Sequence, residues 1–165
     1  MVLTKSELIS SLQNEVRILV HLVGKVQPEM VDYRPTPKQR STIELLRYLT
    51  VMGPALVPSI KSGAFQQDFF TTQTQKAAAM DFAALTKSLE GQAAFYADAV
   101  GAFSDEELRG EIEMFGSKAT RGQLLVNLVL CGHAAYRTQL FCYLKSCGRE
   151  ELNTMNLWGG VDGSM

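Results

Sequence analysis

Residues 120 to 146 read TRGQLLVNLVLCGHAAYRTQLFCYLKS, and this stretch decides the fold. Thr120 and Gln123 stand three apart, the spacing at which a hydroxyl accepts one of the first backbone N–H groups of a helix. Gly148 supplies the stop, because helices often end on a residue that tolerates positive φ. Between these signals Leu124, Leu125, Val126, Leu128, Val129 and Leu130 leave the first half of the helix almost no polar face. A helix apolar all round must be covered on several sides. It therefore sits centrally or also meets a second copy of the chain.

Working outward, the same start signals recur. Thr4 and Glu7 form a capping box, and behind it Leu8, Leu12, Val16, Leu19 and Val23 recur at steps of three and four, the stripe of an amphipathic helix over roughly residues 5 to 26. Pro28 and Arg34-Pro35-Thr36-Pro37 end it, since proline disfavours helix in the residue before it. Ser41 and Glu44 open a second helix, in which Leu45, Tyr48, Leu49 and Met52 share a face; Gly53-Pro54 and Pro58 are expected to kink it before it fades near Lys61. Residues 62 to 79, polar and rich in Gln and Thr, are expected to be a long crossover loop. Asp81 caps a third helix, with Met80 and Leu85 placed as a hydrophobic staple and an apolar side running from Phe82 to about Phe103. Ser104 and Glu107 cap a short turn. Glu111 to Phe115 alternates and is expected to be extended, with Gly116 as a break and no strand partner; the tail from Asn153 is expected to be non-helical. Four capped helices with one long connection predict an all-α antiparallel four-helix bundle, one domain spanning residues 1–165.

Composition narrows the function. The 165 residues carry 16 Lys+Arg against 17 Asp+Glu, a net charge of -1, which lacks the basic face of a nucleic-acid binder or a membrane-surface patch. The first residues have no signal-peptide pattern, and no apolar run reaches the ~18 residues of a membrane span, so no membrane partner is expected. Cys131, Cys142 and Cys147 are odd in number and close together; they read as buried, inert, reduced thiols of a cytoplasmic protein. Phosphate loops, zinc-protease motifs, CxxC pairs and the Glu-x-x-His pattern of di-iron bundles are all missing. Cys131 and His133 lie about 200° apart round a helix and cannot form a nucleophile–base pair. His133 shares a face with Tyr136 and Arg137 and reads either as part of a polar interior site or as a histidine satisfied by a neighbouring hydroxyl or carbonyl. His21 lies away from the core stripe and reads as a surface residue. Glu44 reads as a cap rather than a ligand.

Three segments carry a family resemblance. Asp32-Tyr-Arg-Pro-Thr-Pro-Lys-Gln-Arg-Ser-Thr-Ile-Glu-Leu-Leu-Arg-Tyr-Leu resembles the approach to helix two in the DinB/YfiT-like superfamily of bacterial four-helix bundles. The run from His133 to Lys145 is similar to the family's fourth helix, and Asn156-Leu-Trp-Gly-Gly to its C-terminal tail. The resemblance implies an up-down-down-up bundle with a long crossover between helices two and three. It also implies a divalent metal, usually held by one histidine on helix two and two histidines, four apart, on helix four, the second opening a His-Arg-x-Gln run. Relatives include thiol-dependent S-transferases and a mycothiol-dependent isomerase. At these ligand positions the chain has Tyr48, Gly132 and Tyr136, with His133 one residue beyond Gly132. A one-residue offset turns a helical side chain by about 100°, so His133 does not simply replace the missing ligand.

Three functional readings follow. The first is a DinB-like protein whose pocket, at Tyr48, Gly132, His133 and Tyr136, binds a small molecule or is non-catalytic, with no metal expected; any metal present would fall to His133. The second is a metal-dependent S-transferase-like enzyme with a rearranged zinc or nickel site. The third is a homodimeric structural or interaction protein.

Overall fold

A computed structural model describes residues 3 to 163; Met1, Val2, Ser164 and Met165, at the two ends of the expected domain, lie outside the described residues. The elements are α1 (Lys5–Val23), α2 (Thr42–Ser62), α3 (Gln67–Ala78), α4 (Phe82–Glu90), α5 (Gln92–Gly101), α6 (Asp105–Arg109), a hairpin of β1 (Glu111–Met114) and β2 (Ser117–Thr120), α7 (Arg121–Leu124), a wide π-type segment (Leu125–Leu130), and α8 (Cys131–Ser146). A short π-type turn, Met155–Gly159, follows in the tail.

The caps explain where the helices begin. Complete capping boxes stand at Thr4–Glu7, Ser41–Glu44 and Ser104–Glu107, while Asp81 and Thr120 each accept one backbone N–H. Each such cap contributes on the order of 1 kcal/mol. The first helix stops at Val23, before the expected limit, and Pro28–Met30 forms a single 3₁₀ turn. The second helix runs unbroken through both prolines to Ser62 and is capped by Gly63 at φ 85°. Gln92, buried, donates to the Leu49 carbonyl at 2.8 Å, one turn before Pro54. The third bundle helix is α4 and α5, divided at Gly91.

Hydrogen bonds between helices fix their directions. Lys5 donates to the Gly101 and Phe103 carbonyls and Gln13 to that of Ala93, so α1 and α4–α5 run antiparallel. Leu49 meets Gln92 while Lys61 meets Ala102, so α2 and α4–α5 run parallel. Glu15 meets Arg137, and the Lys25 carbonyl meets Arg149 beyond α8, so the first and fourth helices run parallel. The result is the up-down-down-up order. The core lies along the bundle axis in two layers, one around Leu12, Val16, Ile60, Val100 and Val129, the other around Leu22, Leu45, Leu49, Leu89 and Leu140.

Several expectations are corrected. The crossover is not a loop: α3 occupies most of it, because Phe70 and Ala77 pack on Val51 and Ala55 of α2 and supply the tertiary burial that a polar sequence alone lacks. Glu111–Met114 does have a partner, Ser117–Thr120, across a two-residue turn in which Phe115 (φ 53°) and Gly116 (φ 77°) are both left-handed, as a type I′ turn requires. The tail is partly helical. The apolar start of the fourth helix is largely covered within the chain, with Leu124, Leu125 and Val129 buried, so that surface no longer demands a second copy. Among the described residues Thr42–Ser62 is the helix long and apolar enough to span a membrane, but 67% of its apolar window is buried inside the bundle, as a core helix would be.

Candidate functional site

Tyr48 and Met52 on α2 face Gly132, Ala135 and Tyr136 on α8 across an open cleft of about 540 Å³. Gly132 permits the close approach: a Cβ there would lie 2.9 Å from Met52 Sδ. Tyr48 and Tyr136 meet edge to face, ring centroids 5.0 Å apart at 69°, an arrangement worth about 1 kcal/mol beyond area burial. Arg40 sits over the Tyr48 ring, 4.1 Å from its centroid. Burial, and then the neighbouring Tyr136 hydroxyl, push the Tyr48 phenol up to about 12.

Three further aromatic walls come from the connections. Phe65 precedes α3, Phe70 lies on it, and Phe115 is at the hairpin turn; Phe65 stands 5.5 Å from Phe70 and 5.2 Å from Phe115 between centroids. Phe115 is 61% exposed, held at the cleft mouth by a backbone conformation that few non-glycine residues adopt. No local signal marks these residues as site residues, because they come from segments read as a loop and an unpaired extended run.

The structure brings Tyr48, Gly132 and Tyr136 together and leaves His133 out. His133 is fully buried in the bundle interior and does not line the cleft; its Nε2 shares a 2.5 Å hydrogen bond with the Tyr96 hydroxyl and its Nδ1 has no partner. This is the histidine satisfied by a neighbouring hydroxyl, not a cleft residue. Burial lowers its pKa to about 4, so the ring is neutral at pH 7. Arg137 points inward as well: it bonds Glu15 and the Leu157 carbonyl and lies 5.4 Å from the Trp158 ring. His21 is half-buried rather than a bare surface residue; its Nε2 lies 3.1 Å from Asn156 Nδ2 and 3.7 Å from Asp162. The cysteines are not buried: Cys131 and Cys142 are exposed, Cys147 partly so, and all three are free. Cys131 lines the cleft.

The donor set does not fit the divalent metal that the family resemblance implies. Two phenols, one of them hard to ionise, and a glycine stand at the three positions that the resemblance assigns to histidines. Among the described residues no three His, Cys, Asp or Glu side chains gather in one place. The arrangement can instead bind an apolar or aromatic body by stacking and dispersion, with two phenol hydroxyls as polar handles.

No family model matches the sequence, and no curated protein matches it. Among solved structures it is similar to the crystal structure of YjoA, a DinB-like protein from Bacillus subtilis, with a TM-score of 0.66, 21% identity, and coverage of 88% of this chain and 94% of that one. At that identity the likeness is one of fold: this chain has the DinB-like fold over most of its length.

Proposed function

We propose that this DinB-like bundle is a small-molecule-binding protein in which the place of the metal has been taken by a phenol pair. The observation that carries this reading is the Tyr48–Tyr136 contact at the wall of an open cleft lined by Met52, Phe65, Phe70 and Phe115. Lining of this kind, mostly apolar with few polar groups, suits a compact aromatic ligand. The reading as a metal-dependent S-transferase is disfavoured by the donor chemistry, since a neutral phenol is a poor ligand for zinc or nickel.

Titration with N-phenyl-1-naphthylamine, a neutral fluorescent probe, tests the cleft. Saturable enhancement that is lost in Ala135→Trp is expected; no saturable binding, or binding indifferent to that substitution, overturns the reading. Elemental analysis of untagged protein tests the metal. Near-stoichiometric zinc or nickel that is lost in Tyr48→Phe would restore the enzyme reading.

A homodimer is the second reading. It is favoured by Met155, Trp158 and Val161, which stand 50%, 67% and 44% exposed around Gly159 on the tail. Light scattering at micromolar concentration checks it, and a monomer ends it.

A further inference from the structure

Tyr48 and Phe70 have a second side. Beyond them, between α2 and α3, lies another cleft of about 390 Å³ with an apolar floor that includes Val51 and Ala77. Arg40 and Arg47 stand on its wall, and neither takes part in an ion pair among the described residues. Arg40 is held over Tyr48 by its cation–π contact, which leaves the guanidinium N–H donors unspent. Arg47 is half-buried; its Nε has no acceptor, and its one hydrogen bond is a long 3.5 Å contact from Nη2 to the Met80 carbonyl. A buried charged donor without an acceptor is costly, and such groups usually mark a missing partner. Glu44 also lines this cleft, but its charge is paired with Arg34: its Oε2 accepts from Arg34 at 3.0 Å and from the Ser41 N–H at 2.8 Å.

We propose that this second cleft binds an oxyanion, carboxylate or phosphate, carried on an apolar body. Arg40 and Arg47 take the anion, and the Tyr48–Phe70 wall with Val51 takes the body. A guanidinium fork matches both oxyanions, and two forks beside an apolar floor select an amphipathic acid over a neutral analogue. The inference concerns a different cleft from the phenol-pair site, although the two share a wall.

Calorimetric titration of the full chain with 4-phenylbutyrate, phenyl phosphate and the neutral 4-phenylbutyramide is the test. At least one anion is expected to bind about ten-fold or more tightly than the amide, with an advantage that shrinks as salt rises. Which anion gains more tells carboxylate from phosphate. The advantage is expected to vanish in the Arg40→Gln/Arg47→Gln double variant and to persist in Arg109→Gln, a remote control. The inference is overturned if the amide binds as tightly as both anions, if neither anion binds at millimolar concentration, or if the advantage survives in the double variant. The wild-type series decides the matter even if the double variant folds poorly. Equal binding of amide and anions would end this inference while leaving the apolar cleft standing; failure of the neutral naphthylamine probe would do the reverse.

Discussion

Gly53, Tyr96 and His133 form one unit at the centre of the bundle. A Cβ on Gly53 would lie 1.6 Å from the Tyr96 hydroxyl, so glycine is what lets that phenol pass beneath α2 and reach His133. Gly53→Ala must displace the ring, and overpacking of this kind is expected to cost about 2–3 kcal/mol in denaturant unfolding, with loss of the hydrogen bond. Of the two neutral tautomers, the one in which the phenol donates to Nε2 leaves only one unsatisfied group, the Nδ1–H. The same burial sets a pH dependence. The unfolded histidine titrates near 6.5, the folded one near 4. Between those values the unfolded chain takes up a proton that the folded chain refuses. Stability is therefore full above about pH 6.5 and falls as pH drops toward 4, by up to about 3 kcal/mol. Unfolding curves at pH 7.5 and 4.5 are expected to show that loss in the wild type and less of it in His133→Gln. An equal loss in both assigns the acid sensitivity elsewhere.

At the scale of elements, the tail is a strap. Arg137 on α8 joins Glu15 on α1 to the Leu157 carbonyl, Asn156 reaches His21 and Asp162, and Asp162 pairs with Lys25. Gly160, at φ 58°, lies so close to α1 that a Cβ would sit 2.9 Å from Ile18 Cα. Arg137→Met strands the largely buried Glu15 carboxylate, an event expected to cost about 3–5 kcal/mol, whereas Arg137→Met with Glu15→Leu is expected to recover much of it. Hydrogen exchange in residues 153–163 is the check: faster exchange in the single variant, slower again in the double. This strap was only partly legible in the sequence. Asn156-Leu-Trp-Gly-Gly was visible as a motif, but its helical turn depends on contacts with α1 that no local pattern encodes. The capped bundle helices were legible because hydroxyl-to-backbone caps and apolar stripes are local physics. The α3 helix was hidden because its burial rests on Phe70 and Ala77 meeting α2. The hairpin was hidden because its strands have four residues each and its turn is Phe-Gly rather than Asn-Gly. In the cleft, Tyr48, Gly132 and Tyr136 could be aligned with a ligand pattern, while Phe65, Phe70 and Phe115 arrive from connections and only the fold brings them there.

For the whole molecule, the parallel pairing of α2 with α4–α5 forces the chain to travel the full length of the bundle between them, and that return path supplies one wall of both clefts. Tyr48, Gly132 and Tyr136, the positions that the family resemblance aligns with metal ligands, converge on one cleft. Tyr48→His, Gly132→His and Tyr136→His together are expected to create a zinc or nickel site, with near-stoichiometric metal in the purified protein and a rise in Tm on metal addition. Met52 must yield for the new side chain at 132, which its flexible thioether end permits. Absence of retained metal would mean that the three positions do not converge as the cleft geometry indicates. The wide segment Leu125–Leu130 has a consequence of its own. Such a segment amounts to one extra residue accommodated in an otherwise α-helical rod. Deleting a single residue there is expected to tighten the rod and leave Tyr136 facing Tyr48. Deleting one residue from Cys131 to Ala135 would instead turn everything beyond it by about 100°. This stretch is thus the point along the fourth helix where the gene can lose a codon without scrambling the wall of the cleft.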